Sequence, residues 1–347
     1  MVDLTTKYCG LTLKNPIVVG ASNLVTDLDN LVKLEKAGAA AIVYKSLFEE
    51  QIQLESLDME NAQETFSNWD AEHDSFFPTL KHGGPAEHLL RLRQAKRAVS
   101  IPLIGSLNCV YRDTWVEYAQ KMAETGIDAL ELNFYTSEIG FETDGAHVVN
   151  EQIEVLRNVH KAIRIPVIVK LSPFYTNSLS VISKMDKAGA SGVVLFNRLF
   201  QPDIDVDKEM HHYPYNFSSE NDSRLALRYA GLLYSKIDAS IIANTGIFSG
   251  IDVIKMLLAG ADAVQVVSAI YKKGIPVIES MLAEMTKWME KKKYPSIQEF
   301  KGKLSKENMF DPFAYKRAQY VDILMRSEIF MQYHPKHGEL KDDREEI

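Results

Sequence analysis

The sequence predicts an α/β chain folded as a (β/α)8 TIM barrel, and two observations carry that expectation. Four stretches repeat one pattern: "EKAGAAAIVYK" (35–45), "AETGIDALELN" (123–133), "DKAGASGVVLFN" (186–197) and "LLAGADAVQVV" (257–267). Each runs from a helix end through a glycine and a small or polar residue into an apolar run. The apolar runs are continuous rather than alternating, as parallel strands covered on both faces require. A second type interleaves with the first: "SIPLIGSL" (100–107), "RIPVIVKL" (164–171) and "ASIIANTG" (239–246). In it Pro102 and Pro166 sit at strand starts, where the missing N–H is tolerated.

With "NPIVVGAS" (15–22), strands fall near 16–20, 40–45, 102–106, 128–133, 166–171, 191–196, 240–244 and 262–267. Amphipathic stretches such as "DTWVEYAQKMAETG" and "EQIEVLRNVHKAI" separate them. Gly38, Gly126, Gly189 and Gly260 fit the position just past a helix end, where a positive φ is wanted. Eight βα units favour a closed barrel. An open doubly wound sheet is the alternative, but the first βα turn, "GASNLVTD", lacks its G-x-G-x-x-G. Three segments fall outside the repeat. "CGLTLKN" (9–15) and the residues before it form a hairpin closing the barrel bottom. Residues 47–85 are an acidic excursion after strand two, with no Lys or Arg between Glu49 and Asp74; a loop that long reads as a lid or binding loop. The expected division is a barrel over residues 1–304 and a C-terminal extension, 305–347, packed on it and frayed at its end.

A net charge of −8 argues against nucleic acid, whose phosphates need a basic face. No apolar run approaches the roughly 20 residues of a membrane span, and "MVDLTTKYCG" lacks the layout of a signal peptide. Cys9 and Cys109 are too few for a disulfide framework, so the cytoplasm is expected. The expected partner is a small-molecule substrate, with a homodimer left open. His211 and His212 near Asp205 and Asp207 lack metal-ligand spacing, and no metal is expected. Cys109, just past strand three, reads as a buried inert thiol.

A barrel builds its active site at the C-terminal ends of its strands. Read in order, those ends carry Ala21-Ser22-Asn23, Lys45-Ser46, Ser106 and Asn108, Asn133, Lys170, Asn197, Asn244-Thr245-Gly246 and Ser268. Two lysines and several asparagines just inside apolar strands exceed what solvation requires. They suit a large, flat, anionic ligand. Gly246 and "SG" (249–250) before a helix, with Ser268 after strand eight, mark the usual phosphate position of barrels.

These residues resemble the dihydroorotate dehydrogenase family of FMN barrels. The matching stretches are "NPIVVGASN", "VYKS", "DALELN", "VIVKLSP", "IIANTGI" and "AVQVVSA", in family order over about residues 9 to 305. The resemblance implies FMN as cofactor and hydride transfer between it and a flat, pyrimidine-related substrate. It implies that Ala21, Ser22 and Asn23 line one side of the flavin, that Lys45 and Ser46 contact its ring, and that Asn108 is a further polar contact. Asn133 bridges flavin and substrate, Asn197 faces the substrate edge, and Lys45 also reaches the substrate. Lys170 stabilises the negative charge of the reduced ring. Thr245, Gly246 and Ser268 hold the phosphate.

The chain departs from the family pattern after Asn133. Family members read E-L-N, an apolar residue, then S-C-P-N or close to it, where the loop cysteine or serine is the base. Here Thr136 occupies the base position, Ser137 replaces the proline and Glu138 the substrate-binding asparagine. A threonine hydroxyl acts as a base only if something activates it. The N-S-x-G-L-x-N stretch after strand two has no clear counterpart, and "FSSEND" (217–222) stands where a Ser-Gly turn is usual. Two other functions stay open: a flavoprotein without the parent activity, in a binding or regulatory role, and a flavin-free Schiff-base enzyme using Lys170.

Overall fold

In the computed structural model, residues 2–53, 84–134, 141–198, 202–212 and 217–316 are described, together with 321, 324 and 325. Their strands are β1 (Thr6–Tyr8), β2 (Leu11–Leu13), β3 (Ile17–Val19), β4 (Ala41–Val43), β5 (Leu47–Phe48), β6 (Leu103–Asn108), β7 (Ala129–Asn133), β8 (Val167–Leu171), β9 (Gly192–Leu195), β10 (Asp203–Asp205), β11 (Met210–His212), β12 (Ser240–Asn244) and β13 (Ala263–Val266). Their helices are α1 (Leu28–Lys36), α2 (Pro85–Ala98), α3 (Arg112–Ala123), α4 (Gly145–Ala162), α5 (Ser178–Lys187), α6 (Ser223–Leu233), α7 (Gly250–Ala259), α8 (Ser268–Lys273) and α9 (Val277–Lys292).

The continuous apolar runs become strands buried at every position, as in β6 and β8. Parallel pairing runs β4-β3-β13-β12-β9-β8-β7-β6, and a further β4–β6 pairing closes the ring. The closed ring of eight parallel strands excludes the open sheet and makes the fold a (β/α)8 barrel. β5 continues beside the end of β6, pairing Leu47 with Leu107 and Phe48 with Asn108. Ile104, Ala129, Ile168, Val194 and Ile242 fill the barrel interior. A second core, including Leu34, Leu92, Trp115, Leu156 and Met281, lies between strands and helices.

The expected hairpin is present. β1 and β2 pair across a two-residue turn in which Cys9 (φ 52°) and Gly10 (φ 84°) both have positive φ, the turn that matches strand twist. Cys9 N donates to Ser240 Oγ, and Thr6 Oγ1 to the Asp262 carbonyl, at the N-terminal ends of β12 and β13. Tyr8 and Leu13 thereby enter the inner core from below. The four repeat glycines have φ between 89° and 125°. At Gly260 a Cβ would also fall 2.6 Å from Tyr234.

Within 47–85, residues 54–83 lie outside the described residues, and so does the expected lid. After β9, the chain forms the exposed β10–β11 hairpin, which carries His211 and His212. Among the described residues no cluster of His, Cys, Asp or Glu could hold a metal. No helix among them is long and apolar enough to cross a membrane. Past α9, Tyr315 packs on Gly231 of α6, and its hydroxyl donates to the Leu304 carbonyl at 2.8 Å.

Candidate active site at the barrel mouth

Parallel strands place their C-terminal ends at one mouth, and there side-chain amides tie several of those ends together. Asn108 Nδ2 donates to the Asn133 carbonyl at 2.8 Å, joining β6 to β7. Asn197 Nδ2 donates to Asn133 Oδ1 at 2.8 Å. Asn244 Nδ2 and Thr245 Oγ1 donate to the Phe196 carbonyl at 2.8 and 3.2 Å. Ser46 and Ser106 share a hydroxyl–hydroxyl bond of 2.7 Å. These bonds fix rotamers, so the mouth is preorganised.

The cavity there measures about 510 Å³, and the strand-end residues lining it are Ala21, Ser22, Asn23, Lys45, Ser46, Asn133, Lys170, Asn197, Asn244, Thr245, Gly246 and Ser268. Its size falls within the roughly 300–1,000 Å³ of small-molecule sites. Ser106 and Asn108 are the strand-end candidates that stand apart: Ser106 meets the cavity through Ser46, while β6 runs on through Asn108 to pair with β5, and its amide meets the cavity through Asn133. Thr136 falls in 135–140, outside the described residues.

The floor holds a buried ion pair. Lys170 Nζ lies 3.7 Å from Glu131 Oε1 and donates to Gln265 Oε1 at 3.4 Å. At the far end, Gly246 N donates to Ser218 Oγ at 3.2 Å, and Ser218 N to Ser268 Oγ at 3.0 Å. Ser218 thus gathers the two loops that end β12 and β13. Thr245 (φ 77°) and Gly246 (φ 76°) are both left-handed. For a threonine that is an uncommon conformation, of the kind that concentrates at ligand sites. Ser249 and Gly250, in contrast, take no part. Ser249 forms a capping box with Asp252, and Gly250 N donates to Glu284 at 2.7 Å, so the start of α7 is already satisfied within the protein.

Sequence reasoning missed several lining residues. Phe217 and Tyr271 pair their rings at 5.2 Å, and Phe48, Ile247 and Val267 also line the wall. Gln265 was detectable: it is the lone polar residue inside the apolar run "AVQVV". Cys109 is buried as expected, and burial, then Glu49 and Glu50, push its thiol far up, which disfavours the thiolate.

Beside Lys45, the His88 ring meets the edge of Tyr44 at 5.5 Å, and its Nε2 is buried without a hydrogen-bond partner. Burial first, and Lys45 second, lower its pKa from 6.5 to about 4. The folded protein therefore holds a neutral imidazole that the unfolded chain protonates more readily. Its contribution is complete above pH 6.5 and is lost as pH falls towards 4. At about 1.4 kcal/mol per tenfold in proton affinity, the loss is about 3 kcal/mol. Urea unfolding at pH 7 and pH 4 checks this: the His88→Phe variant should lack that part of the pH dependence.

The dihydroorotate dehydrogenase family model matches residues 82–289, more than half of the chain. The chain belongs to the dihydroorotate dehydrogenase family. It is 27% identical over 306 residues to the catalytic subunit of dihydroorotate dehydrogenase B (NAD(+)) of Thermoplasma acidophilum, covering 87% of this chain and 99% of that one. To the corresponding subunit of Methanocaldococcus jannaschii it is 25% identical over 302 residues, 83% and 94% of the two chains. To a putative dihydroorotate dehydrogenase A (fumarate) of Aeropyrum pernix it is 31% identical over 232 residues, 64% and 74%. The family match runs from just before α2 to α9 and so includes the strand ends from β6 to β13 that build most of the cavity.

Proposed function

We propose that the barrel mouth binds FMN and that the protein is an oxidoreductase acting on CH–CH bonds of a flat, pyrimidine-related small molecule. The observation that carries this reading is the convergence of twelve strand-end residues on one cavity. The donor set fits the cofactor. Ser22 Oγ is buried on the cavity wall with no partner, a cost of about 1–3 kcal/mol that a ligand atom would remove. In this reading Ala21, Ser22 and Asn23 flank the ring and Lys45 and Ser46 contact it. Lys170 faces the side where negative charge gathers on reduction. Thr245, Gly246 and Ser268 hold the phosphate, with Ser218 keeping their loops together. When bound, FMN supplies hydride transfer at N5. The protein's part is to orient the substrate with Asn133, Asn197 and Lys45 and to exclude water.

The proposal extends to the organisation of the chain: residues 1–304 form the cofactor barrel, 305–347 an extension upon it, in a cytoplasmic protein. Relatives named for NAD(+) and for fumarate are both similar, so similarity selects no electron acceptor.

The test is incubation with excess FMN followed by gel filtration. The protein should elute yellow, release FMN on denaturation, and melt higher. Ligand at 100 times its Kd adds about 2.7 kcal/mol. A colourless protein with an unmoved melt would sink the reading. Borohydride trapping of a carbonyl compound on Lys170 would then favour the Schiff-base enzyme.

A further inference from the structure

The flavin reading leaves one buried charge without a task. Glu131 lies on β7 two residues before Asn133, and alternate residues of a strand share a face. Its carboxylate is fully buried and does not line the cavity, whereas Lys170 and Gln265 do. Oε2 accepts from Gln265 Nε2 at 2.6 Å. Oε1 accepts no hydrogen bond and lies 3.7 Å from Lys170 Nζ. Gln265 Oε1 accepts from that same Nζ at 3.4 Å. The amide of Gln265 is therefore oriented from both sides, its nitrogen to the carboxylate and its oxygen to the ammonium.

The surroundings make this arrangement consequential. Ala129, Ile104, Ile168 and Val194 pack the barrel interior. An apolar residue at 131 would extend that packing without the cost of burying an ion. Away from water, charges at this separation interact far more strongly than at a surface. The pull on Lys170 comes from a side chain outside the cavity lining, and so draws the ammonium back from the ligand space.

We propose that Glu131 is a positioning residue: with Gln265 it holds the Lys170 ammonium at the cavity floor and offsets part of its charge, which sets how strongly a bound flavin takes up electrons. The inference rests on the FMN reading above.

The test uses the full chain loaded with FMN and two readouts other than turnover. One is sulfite affinity: sulfite donates its electron pair to flavin N5 and the ring gains negative charge. The other is the midpoint potential measured against a redox dye. Glu131→Gln keeps the shape and removes the charge. It should tighten sulfite binding about tenfold and raise the potential by about 30 mV, the two-electron equivalent of tenfold. Glu131→Asp should shift both in the same direction by less, and carries the test if the glutamine variant does not fold. In a Lys170→Met background the effect of Glu131→Gln should shrink to about twofold or less, since a coupled pair is not additive. No shift, a shift of opposite sign, or the full shift without Lys170 would each overturn the proposal. Failure of the native protein to take up FMN would remove the FMN reading and this one together, whereas FMN uptake with unmoved sulfite affinity would remove this one alone.

Discussion

Replacing Lys170 by alanine should slow flavin reduction by about 10²–10³, the range found when a preorganised group facing developing charge is removed. FMN uptake should survive, because eleven other strand-end residues of the same cavity remain. Folding will not be untouched. Glu131 is wholly buried, and without Lys170 its carboxylate keeps only the Gln265 bond. Breaking a buried pair by removing one partner costs roughly 3–5 kcal/mol, so the single variant should melt well below the native protein. The double variant Lys170→Met with Glu131→Gln removes both charges. It should regain most of the stability and none of the reduction rate. Stopped-flow reduction and thermal melts of the three proteins separate the two effects. If the double variant regained reduction along with stability, Lys170 would be structural only.

The fold was legible because the barrel strands are continuous, largely apolar runs and four of the helices before them end at a glycine; these four glycines do adopt positive φ. The cavity was legible because a parallel barrel sends every strand end to the same mouth, so listing those ends nearly lists its wall. What escaped notice depended on contacts between distant segments. Glu49 opens an acidic run and reads as a charge at the mouth. Its carboxylate is buried instead, accepting from the backbone N–H groups of Val110 and Tyr111 and from Thr114 Oγ1 at the start of α3, where an anion is favoured. Its acidity is therefore spent inside the protein. The β10–β11 hairpin escaped because its strands are only three residues long and "MHH" carries no period-2 apolar signal; both strands are largely exposed. Ser249-Gly250 resembled a phosphate loop because glycine before a helix looks the same whether the N–H groups face a ligand or, as here, Glu284.

Dihydroorotate should be a poor substrate or none. β7 delivers Asn133 to the cavity, and Phe134 after it is buried against Trp115 at 5.3 Å between ring centroids. The next residues are Tyr135-Thr136-Ser137-Glu138. A positioned base contributes on the order of 10²–10⁴ in rate, and a threonine hydroxyl is a weaker base than a thiolate. Glu138 brings a negative charge to the position that binds the substrate carboxylate in the family pattern, and like charges facing each other cost several kcal/mol. Both changes act against the same substrate, so the native protein should reduce its flavin with dihydroorotate at least about 10²-fold more slowly than a Thr136→Cys, Glu138→Asn double variant. Thr136→Cys alone should lie between them, because the repulsion remains. Anaerobic flavin bleaching by dihydroorotate measures all three. Rapid bleaching of the native protein would refute this reading of the loop. Inactivity of all three would move the obstacle to the stretch after β5, where the family's N-S-x-G-L-x-N has no counterpart, and would mean that the natural substrate is a different flat molecule.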